Sequence, residues 1–370
     1  IKTAKKNAKS GERNKMTLMQ LSKYLLDFLV KLINTPSPTG YTDDAITLIE
    51  KTFSVFPDLS MMRTNKGSLV IKWEGVSDSS TGLEQSLPPR ALTAHVDTLG
   101  AMVKVIKPNG RLQLTTLGGL LLNGVETEGC WVLTQSGEKI RGSLMINKSS
   151  VHVYGAEVNK TKRSEETMEV RLDEQTTSAE ETRELGIKVG DFITFDPRVE
   201  VRNGFIRSRF LDDKAGIASL FAAVKAMSES DLKPARTTYF LISNFEEVGH
   251  GAPAGIPAEV AELVVVDMAA IGEGQESDEF HATICIKDSS GPYHHGLSNH
   301  LRKLAADHNI PHKADIYPYY GSDGSAAMRA GADMAVALIG PGVDASHNYE
   351  RTHIKALVAT TQWIIVYLLS

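Results

Sequence analysis

Apolar residues follow a helical spacing in the first part of the chain and then give way to short strand-like runs. Between residues 18 and 32 they recur every three or four positions, which predicts an amphipathic helix that the Pro- and Gly-containing stretch 36–40 ends. A capping sequence begins a second predicted helix at 42–56. The apolar runs 68–73 and 91–94 predict strands.

The pattern changes at Gly100, where short alternating runs are separated by turn signals. These signals are Lys107-Pro108-Asn109-Gly110, Gly118-Gly119, Gln135-Ser136-Gly137 and the stretch 185–191. Frequent turns between short strands predict a small β-barrel or sandwich over residues 100–205. The charged segment 160–183 is predicted to be a solvent-exposed excursion from it.

Strands and helices alternate again after residue 206. The predicted strands are 239–243, 263–267, 283–286, 315–317 and 334–339, and the predicted helices are 216–227, 297–308, 322–330 and 354–369. This alternation predicts one α/β domain, residues 16–99 and 206–370, that the β-rich segment interrupts.

Composition narrows the class of protein. The 370 residues are 42% hydrophobic and 23% charged, as in soluble globular proteins, and the net charge of −5 gives no reason to expect nucleic acid or a membrane surface as partner. Cys130 and Cys285 have no metal-binding spacing, which favours reduced thiols and a cytoplasmic location. No run approaches the roughly 18 apolar residues of a membrane helix. The basic residues 1–15 are interpreted as a leader without fixed structure or an expression remnant.

Acidic and histidine side chains stand where the predicted strands end or a helix begins. In open α/β sheets, ligands bind at the carboxyl ends of the strands, so we expect these side chains to meet. They are His95 and Asp97, Asp212 and Asp213, Glu246 and Glu247, Asp267, and His347.

This set of side chains is typical of a dinuclear metal site. Adjacent carboxylates repel each other, and dications between acidic and imidazole ligands remove the repulsion. Asp212 is the expected bridge, His95 and Asp267 would complete one site, and Glu247 and His347 the other. Such nitrogen and oxygen ligands favour Zn²⁺ and also suit Co²⁺ or Mn²⁺.

Two further carboxylates have predicted supporting roles. Glu246, beside the ligand Glu247, is expected to act as general base on water that the metals activate. Asp97 is expected to orient the His95 imidazole, and Asp213 to support the site locally.

Each motif also has an ordinary structural explanation. A single His-X-Asp is usually a surface feature, Asp-Asp before a helix is usually a cap, and Glu-Glu after a strand is usually solvated. Five such elements at strand and helix ends of one α/β domain favour the metal site.

Taken in order, the motifs resemble those of the TET-type dinuclear metallo-aminopeptidases, which include bacterial glutamyl and deblocking aminopeptidases. The resemblance covers nearly the whole chain from Met16. It is carried by Pro36-Ser37-Pro38-Thr39-Gly40, Ala94-His95-Val96-Asp97, Leu211-Asp212-Asp213-Lys214, Glu246-Glu247-Val248-Gly249, Val266-Asp267, Gly321-Ser322-Asp323-Gly324 and Ser346-His347-Asn348-Tyr349-Glu350.

The resemblance implies a mixed-sheet zinc-peptidase fold of the phosphorylase/hydrolase-like type with an inserted small β-barrel. It implies that the barrel serves as dimerisation and lid domain in homo-oligomers, often dodecamers, and that short peptides are the substrates. The family's ligand roles carry over onto the five residues above, its base onto Glu246, and a substrate contact onto Asp323.

The chain departs from the family pattern at Thr98, where an acidic residue is usual, at Lys214, where Arg is usual, and at His250-Gly251. These departures concern substrate preference and assembly and remove no ligand. The stretches 288–292 and 344–347 resemble a subgroup found beside genes for a dipeptide-amide osmoprotectant.

Two kinds of alternative remain open at this point. The same metal scaffold could serve an N-acyl amino acid deacylase, an amidase or a carboxypeptidase, and a requirement for a free amine would separate these from an aminopeptidase. A catalytically inactive oligomeric scaffold is the alternative from another class, and the intact ligand set argues against it.

Overall fold

The computed structural model of the chain describes residues 17–76 and 87–370, so the predicted leader, residues 1–15, lies outside the described residues. The helices are α1 (Leu18–Ile33), α2 (Asp43–Phe53), α3 (Val151–Tyr154), α4 (Glu157–Lys160), α5 (Ala179–Glu184), α6 (Leu211–Glu229), α7 (His295–Asp307), α8 (Asp323–Arg329) and α9 (Ile354–Leu368).

The strands fall into three sheets. They are β1 (Leu59–Arg63), β2 (Leu69–Trp73), β3 (Arg90–His95), β4 (Gly100–Ile106), β5 (Leu112–Leu117), β6 (Gly129–Leu133), β7 (Lys139–Ile146), β8 (Met168–Leu172), β9 (Phe192–Phe195), β10 (Glu200–Arg202), β11 (Phe205–Ser208), β12 (Thr238–Ser243), β13 (Glu262–Val266), β14 (Ala269–Ala270), β15 (Ala282–Asp288), β16 (Gly291–Pro292), β17 (His312–Ile316), β18 (Ala335–Val343) and β19 (Glu350–His353).

The largest sheet is mixed, which confirms the predicted fold class. Its central order is β2-β12-β3-β13-β18-β15. Strands β12, β3, β13 and β18 run parallel, while β2 is antiparallel to β12 and β15 is antiparallel to β18. All residues of β3 are buried, as expected of a strand covered on both faces. The carboxyl ends of β12, β3 and β13 therefore meet at one edge of the sheet.

Helices pack their apolar sides against this sheet. The predicted stripe on α1 is its buried face, formed by Leu21, Leu25, Leu29 and Leu32. On α6, nearly every side chain from its start to Val224 is buried, because its many alanines allow close packing against α1, α9 and the sheet. The start of α6, with Asp212 and Asp213, is thereby fixed inside the protein.

Strands β4 to β9 form a closed barrel with its own hydrophobic core. The strands close in the order β4-β5-β8-β7-β6-β9. The prediction for residues 160–183 is wrong, because β8 lies within that segment as a barrel strand. Glu169 of β8 is 2% exposed and pairs with Lys107 and Arg111. Its charge is neutralised inside the protein, not by solvent.

Two features of the fold had no counterpart in the sequence pattern. Strand β1 lies at the edge of the large sheet, and β10, β11 and β19 form a small third sheet where the chain returns from the barrel. Within the residues that the structure covers, no helix is long and apolar enough to cross a membrane.

Candidate metal centre

Local structure at the strand ends places the predicted ligands together. His95 is the last residue of β3, Asp267 directly follows β13, and Glu247 lies in a short 3₁₀ turn, Glu246–Val248, just after β12. Asp212 stands in the non-helical first turn of α6, and its peptide bond to Asp213 is cis. His347 comes from the loop between β18 and β19.

The five predicted ligands form two overlapping groups that share Asp212. One group is His95, Asp212 and Asp267; the other is Asp212, Glu247 and His347; within each group the ligand atoms all lie within 4.8 Å of one another. The Oδ1 atom of Asp212 is 3.0 Å from His95 Nε2, and its Oδ2 atom is 3.6 Å from His347 Nε2. Each carboxylate oxygen thus faces a different imidazole, as a bridging ligand requires.

Asp97 orients His95 through its backbone. Its carbonyl oxygen lies 2.9 Å from His95 Nδ1, which must donate to it and so leaves Nε2 free as a ligand atom. Its carboxylate accepts hydrogen bonds from the backbone N–H groups of Glu246 and Glu247, at 3.1 and 3.3 Å, and from the hydroxyl of Thr39. The side chain of Asp97 therefore holds the glutamate turn in place.

Burial opposes ionisation of the acidic cluster. Burial and the charge of Asp212 raise the pKa of Asp267 to about 7 and raise the pKa of Glu247 well above its usual value. Burial and the charge of Asp267 also raise the pKa of Glu246. For Asp212 burial acts in the same direction, but the hydrogen bond and charge of His95 outweigh it and lower its pKa. Such a cluster is stable only with cations or protons inside it, and divalent ions fit the donor set.

His95 responds to the same negative charge. Burial alone would lower the pKa of its imidazole, but hydrogen bonds to Asp212 and Asp97 raise this pKa well above the usual value. A metal ligand must be neutral, so ion binding has to displace that proton, and metal affinity should fall as the pH falls.

Glu350 is a further residue of the candidate site, and the sequence analysis gave it no role. Its carboxylate accepts backbone N–H bonds from Leu211 at 2.6 Å, Asp212 at 3.2 Å and His347 at 3.2 Å. It therefore ties the backbone at Asp212 to the loop that carries His347. The only sequence signal was its place at the end of the 346–350 motif.

Asp213 and Asp323 lie behind the ligand cluster. The Asp213 carboxylate accepts hydrogen bonds from the backbone N–H groups of His95 and Gly216. The carboxylate of Asp323 is 1% exposed and accepts bonds from Ser243, Thr93 and Ala252. The structure places Asp323 away from the wall of the adjoining cavity, where its neighbour Ser322 lies instead.

A cavity of about 570 Å³ opens onto both groups of ligands. Apolar and aromatic side chains form much of its wall, among them Leu121, Met268, Ile271, Tyr319 and Tyr320. Glu246 also lies on this wall, with Oε2 3.8 Å from His95 Nε2, and belongs to neither ligand group. The cavity thus offers space for an organic substrate beside Glu246, whose carboxylate is not part of either group of metal ligands.

Comparison with known protein families and relatives assigns the chain to the peptide-bond hydrolases of the aminopeptidase class. The family described as M42 glutamyl aminopeptidase matches residues 78–362, and the chain belongs to this family. It is 46% identical over 346 residues to the Bacillus subtilis (strain 168) protein named "Putative aminopeptidase YhfE", covering 93% of this chain and 97% of that protein. Over 67% of the chain it is 26% identical to a protein of Acetivibrio thermocellus named "Putative aminopeptidase", 72% of which is covered.

Solved structures have the same fold at low sequence identity. A TET aminopeptidase from a marine sediment Thaumarchaeota archaeon superposes with a TM-score of 0.82 at 19% identity, covering 93% of this chain and 96% of that one. The Pyrococcus horikoshii TET1 peptidase, described as assembling into a tetrahedron or a large octahedral shell, gives 0.80 at 20% identity, with 94% and 99% covered. The predicted family is confirmed, whereas the resemblance to the osmoprotectant-linked subgroup stays a prediction.

Proposed function

We propose that this chain is a dinuclear metal-dependent aminopeptidase that removes N-terminal residues from short peptides. The observation that carries the proposal is the shared carboxylate of Asp212, which belongs to two ligand groups on the wall of one cavity. In a solvated acidic patch there would be no reason for the two carboxylate oxygens of Asp212 to face two different imidazoles, those of His95 and His347.

Two divalent ions would be held by the chain's own side chains. His95, Asp212 and Asp267 would hold one, and Asp212, Glu247 and His347 the other. Zn²⁺ is favoured by this donor set, and Co²⁺ or Mn²⁺ also suit it. When bound, such ions polarise a carbonyl group and make water a nucleophile near neutral pH.

Glu246 would move the proton. Its carboxylate lies beside the ligand cluster and belongs to neither ligand group, and Asp97 fixes the backbone of its turn. It would accept a proton as water attacks the scissile carbonyl, and deliver that proton to the leaving amine.

The relatives favour a substrate with a free α-amine. The family is described as that of a glutamyl aminopeptidase, and the Bacillus subtilis relative that matches 93% of this chain is named an aminopeptidase. The opposite preference would be expected of a deacylase, whose substrate carries an amide at that place.

Blocking the α-amine should therefore abolish hydrolysis. We expect a panel of aminoacyl-p-nitroanilides to be cleaved with added Zn²⁺, Co²⁺ or Mn²⁺, and their N-acetylated counterparts to be cleaved at least about 100-fold more slowly, because an aminopeptidase makes contacts to the free α-amine that acetylation removes. Release of acetate from the acetylated compounds, without release of p-nitroaniline from the free amines, would contradict the proposal and favour a deacylase on the same scaffold.

Self-association is proposed to depend on the barrel. Short helix α3 exposes Val151, Val153 and Tyr154, with Val153 71% exposed, and such a group of apolar side chains is typical of an interaction site. Relatives of the same fold form closed assemblies, as the description of the Pyrococcus horikoshii peptidase states. The barrel would thus act as a dimerisation domain.

Removing the barrel, residues 100–205, should leave a smaller particle. We also expect Val153→Glu to reduce the particle mass measured by light scattering, because it places a charge among apolar contacts. Val55→Glu, at a catalytic-domain position that is 68% exposed, is the matched control and should leave the mass unchanged. If both barrel variants kept the native mass, corrected for missing residues, the barrel would not be the association domain.

A further inference from the structure

The inserted barrel touches the metal centre directly through a pair of glycines. Gly118 and Gly119 follow β5, and the carbonyl oxygen of Gly119 lies 3.3 Å from Nδ1 of His347. A carbonyl can only accept, so Nδ1 must carry the proton, and Nε2 is left as the ligand atom. That Nε2 atom lies 3.5 Å from Glu247 and 3.6 Å from Asp212.

The close approach depends on the missing side chains. A Cβ atom at Gly119 would lie 2.7 Å from Nδ1 and 3.0 Å from Cε1 of His347. A Cβ atom at Gly118 would lie 3.2 Å from the carbonyl oxygen and 3.3 Å from Cβ of Glu247, another ligand of the same group. Gly118 also has a φ of +66°, which L side chains rarely adopt. The turn therefore packs against two of the three ligands of this site.

The two sites differ in how their histidines are held. His95 is 2% exposed, and its Nδ1 atom is fixed by a carbonyl of its own domain. His347 has a side chain that is 36% exposed, and among the described residues its Nδ1 atom has Gly119 of the barrel as its hydrogen-bond partner. An imidazole that is so exposed loses its orientation more readily when its partner moves.

We propose that the Gly118–Gly119 turn of the barrel orients His347 and thereby sets the affinity of the second metal site more than that of the first. The inference rests on the proposed function, because it presupposes that both groups bind an ion. It makes the barrel part of the metal centre in addition to any role in association. Loss or displacement of the barrel would then leave a chain with one ion.

The test is a calorimetric titration of metal-free chain with Zn²⁺, with elemental analysis of the product. Gly119→Ala should weaken binding of the second ion by about 10–100-fold, the range usual for loss of a partner that orients a ligand, and leave the first ion unchanged. Gly272→Ala is the matched control, because an added Cβ there has no neighbour within 4 Å, and it should behave as the unaltered chain.

A double substitution shows whether Gly119→Ala acts on metal binding through the orientation of His347 or through a general disturbance of the fold. In chains that already carry His347→Ala, the further change Gly119→Ala should have no effect on metal binding. If Gly119→Ala does not fold, Gly118→Ala takes its place, since its Cβ would lie 3.2 Å from the carbonyl oxygen of Glu247, and it should also weaken only the second ion.

Two outcomes would overturn the inference: unchanged affinity for both ions in a folded glycine variant, or equal weakening of both. Binding of fewer than two ions by the unaltered chain would instead contradict the proposed function, so the two failures can be told apart.

Discussion

Replacing Asp212 by Ala is expected to remove both metal ions and with them all activity. Its two carboxylate oxygens face different imidazoles, at 3.0 and 3.6 Å, and it is the residue common to both ligand groups. Without it, each group keeps only two ligands, and the bridging charge between the ions is gone. Elemental analysis after gel filtration should give well under one ion per chain, and activity should match that of chelator-treated protein.

Single-site ligands provide the matched comparison. Asp267→Ala and His347→Ala each damage one group, so each should retain about one ion per chain under the same conditions. If Asp212→Ala kept both ions, or lost no more than these two variants, Asp212 would not be the bridge. Full activity of metal-free protein would contradict metal catalysis altogether.

Replacing Glu246 by Gln should reduce turnover without loss of metal. The amide keeps the size and most hydrogen bonding of the carboxylate but cannot accept the proton of the attacking water. Loss of a general base typically costs about 10²–10⁴-fold in rate, so we expect kcat to fall within that range while two ions stay bound. The variant should fold and bind substrate as before, because neither ligand group contains Glu246.

Glu247→Gln is the natural partner experiment, one position along the same turn. This variant should lose affinity for one ion, since Glu247 belongs to the group with His347. Metal content and kcat measured on both variants decide the assignment. If Glu246→Gln lost a metal ion while Glu247→Gln kept two ions and turned over slowly, Glu247 would be the general base and Glu246 the metal ligand.

The sequence could predict which residues meet because the sheet brings strand ends together. Each buried parallel strand is an apolar run, and the polar residue that follows the run must lie at the sheet edge, as His95 and Asp267 do. This argument needs only the order of the elements. It therefore locates the ligands without knowledge of side-chain orientation.

The order of the elements does not predict which hydrogen-bond partners the side chains of the site have. The sequence indicated that Asp97 orients His95, but it is the carbonyl that does so, while the carboxylate binds the backbone of Glu246 and Glu247. Likewise Glu350 accepts hydrogen bonds from the backbone N–H groups of Leu211 and Asp212, which are far away in the chain. Such contacts depend on loop geometry, which leaves no periodic signal.

The barrel strand β8 was missed for an electrostatic reason. Its buried Glu169 is neutralised by Lys107 and Arg111, which lie on or beside other barrel strands. In the sequence, a charged residue among charged neighbours looks solvated, and the distant cations that neutralise it cannot be recognised. Burial of a paired charge is therefore the kind of feature that hydrophobic patterning overlooks.

The interruption of the large sheet by the barrel also has a consequence for the order of folding. β3 pairs with β12 and β13, and both of these strands come after the barrel in the chain. During synthesis the barrel strands, whose core is separate, can come together while β3 still lacks its partners. The catalytic half must then wait for the last part of the chain, since His347 and Glu350 complete the centre. We expect nascent chains that end before these residues to contain a formed barrel and no site able to retain a metal pair.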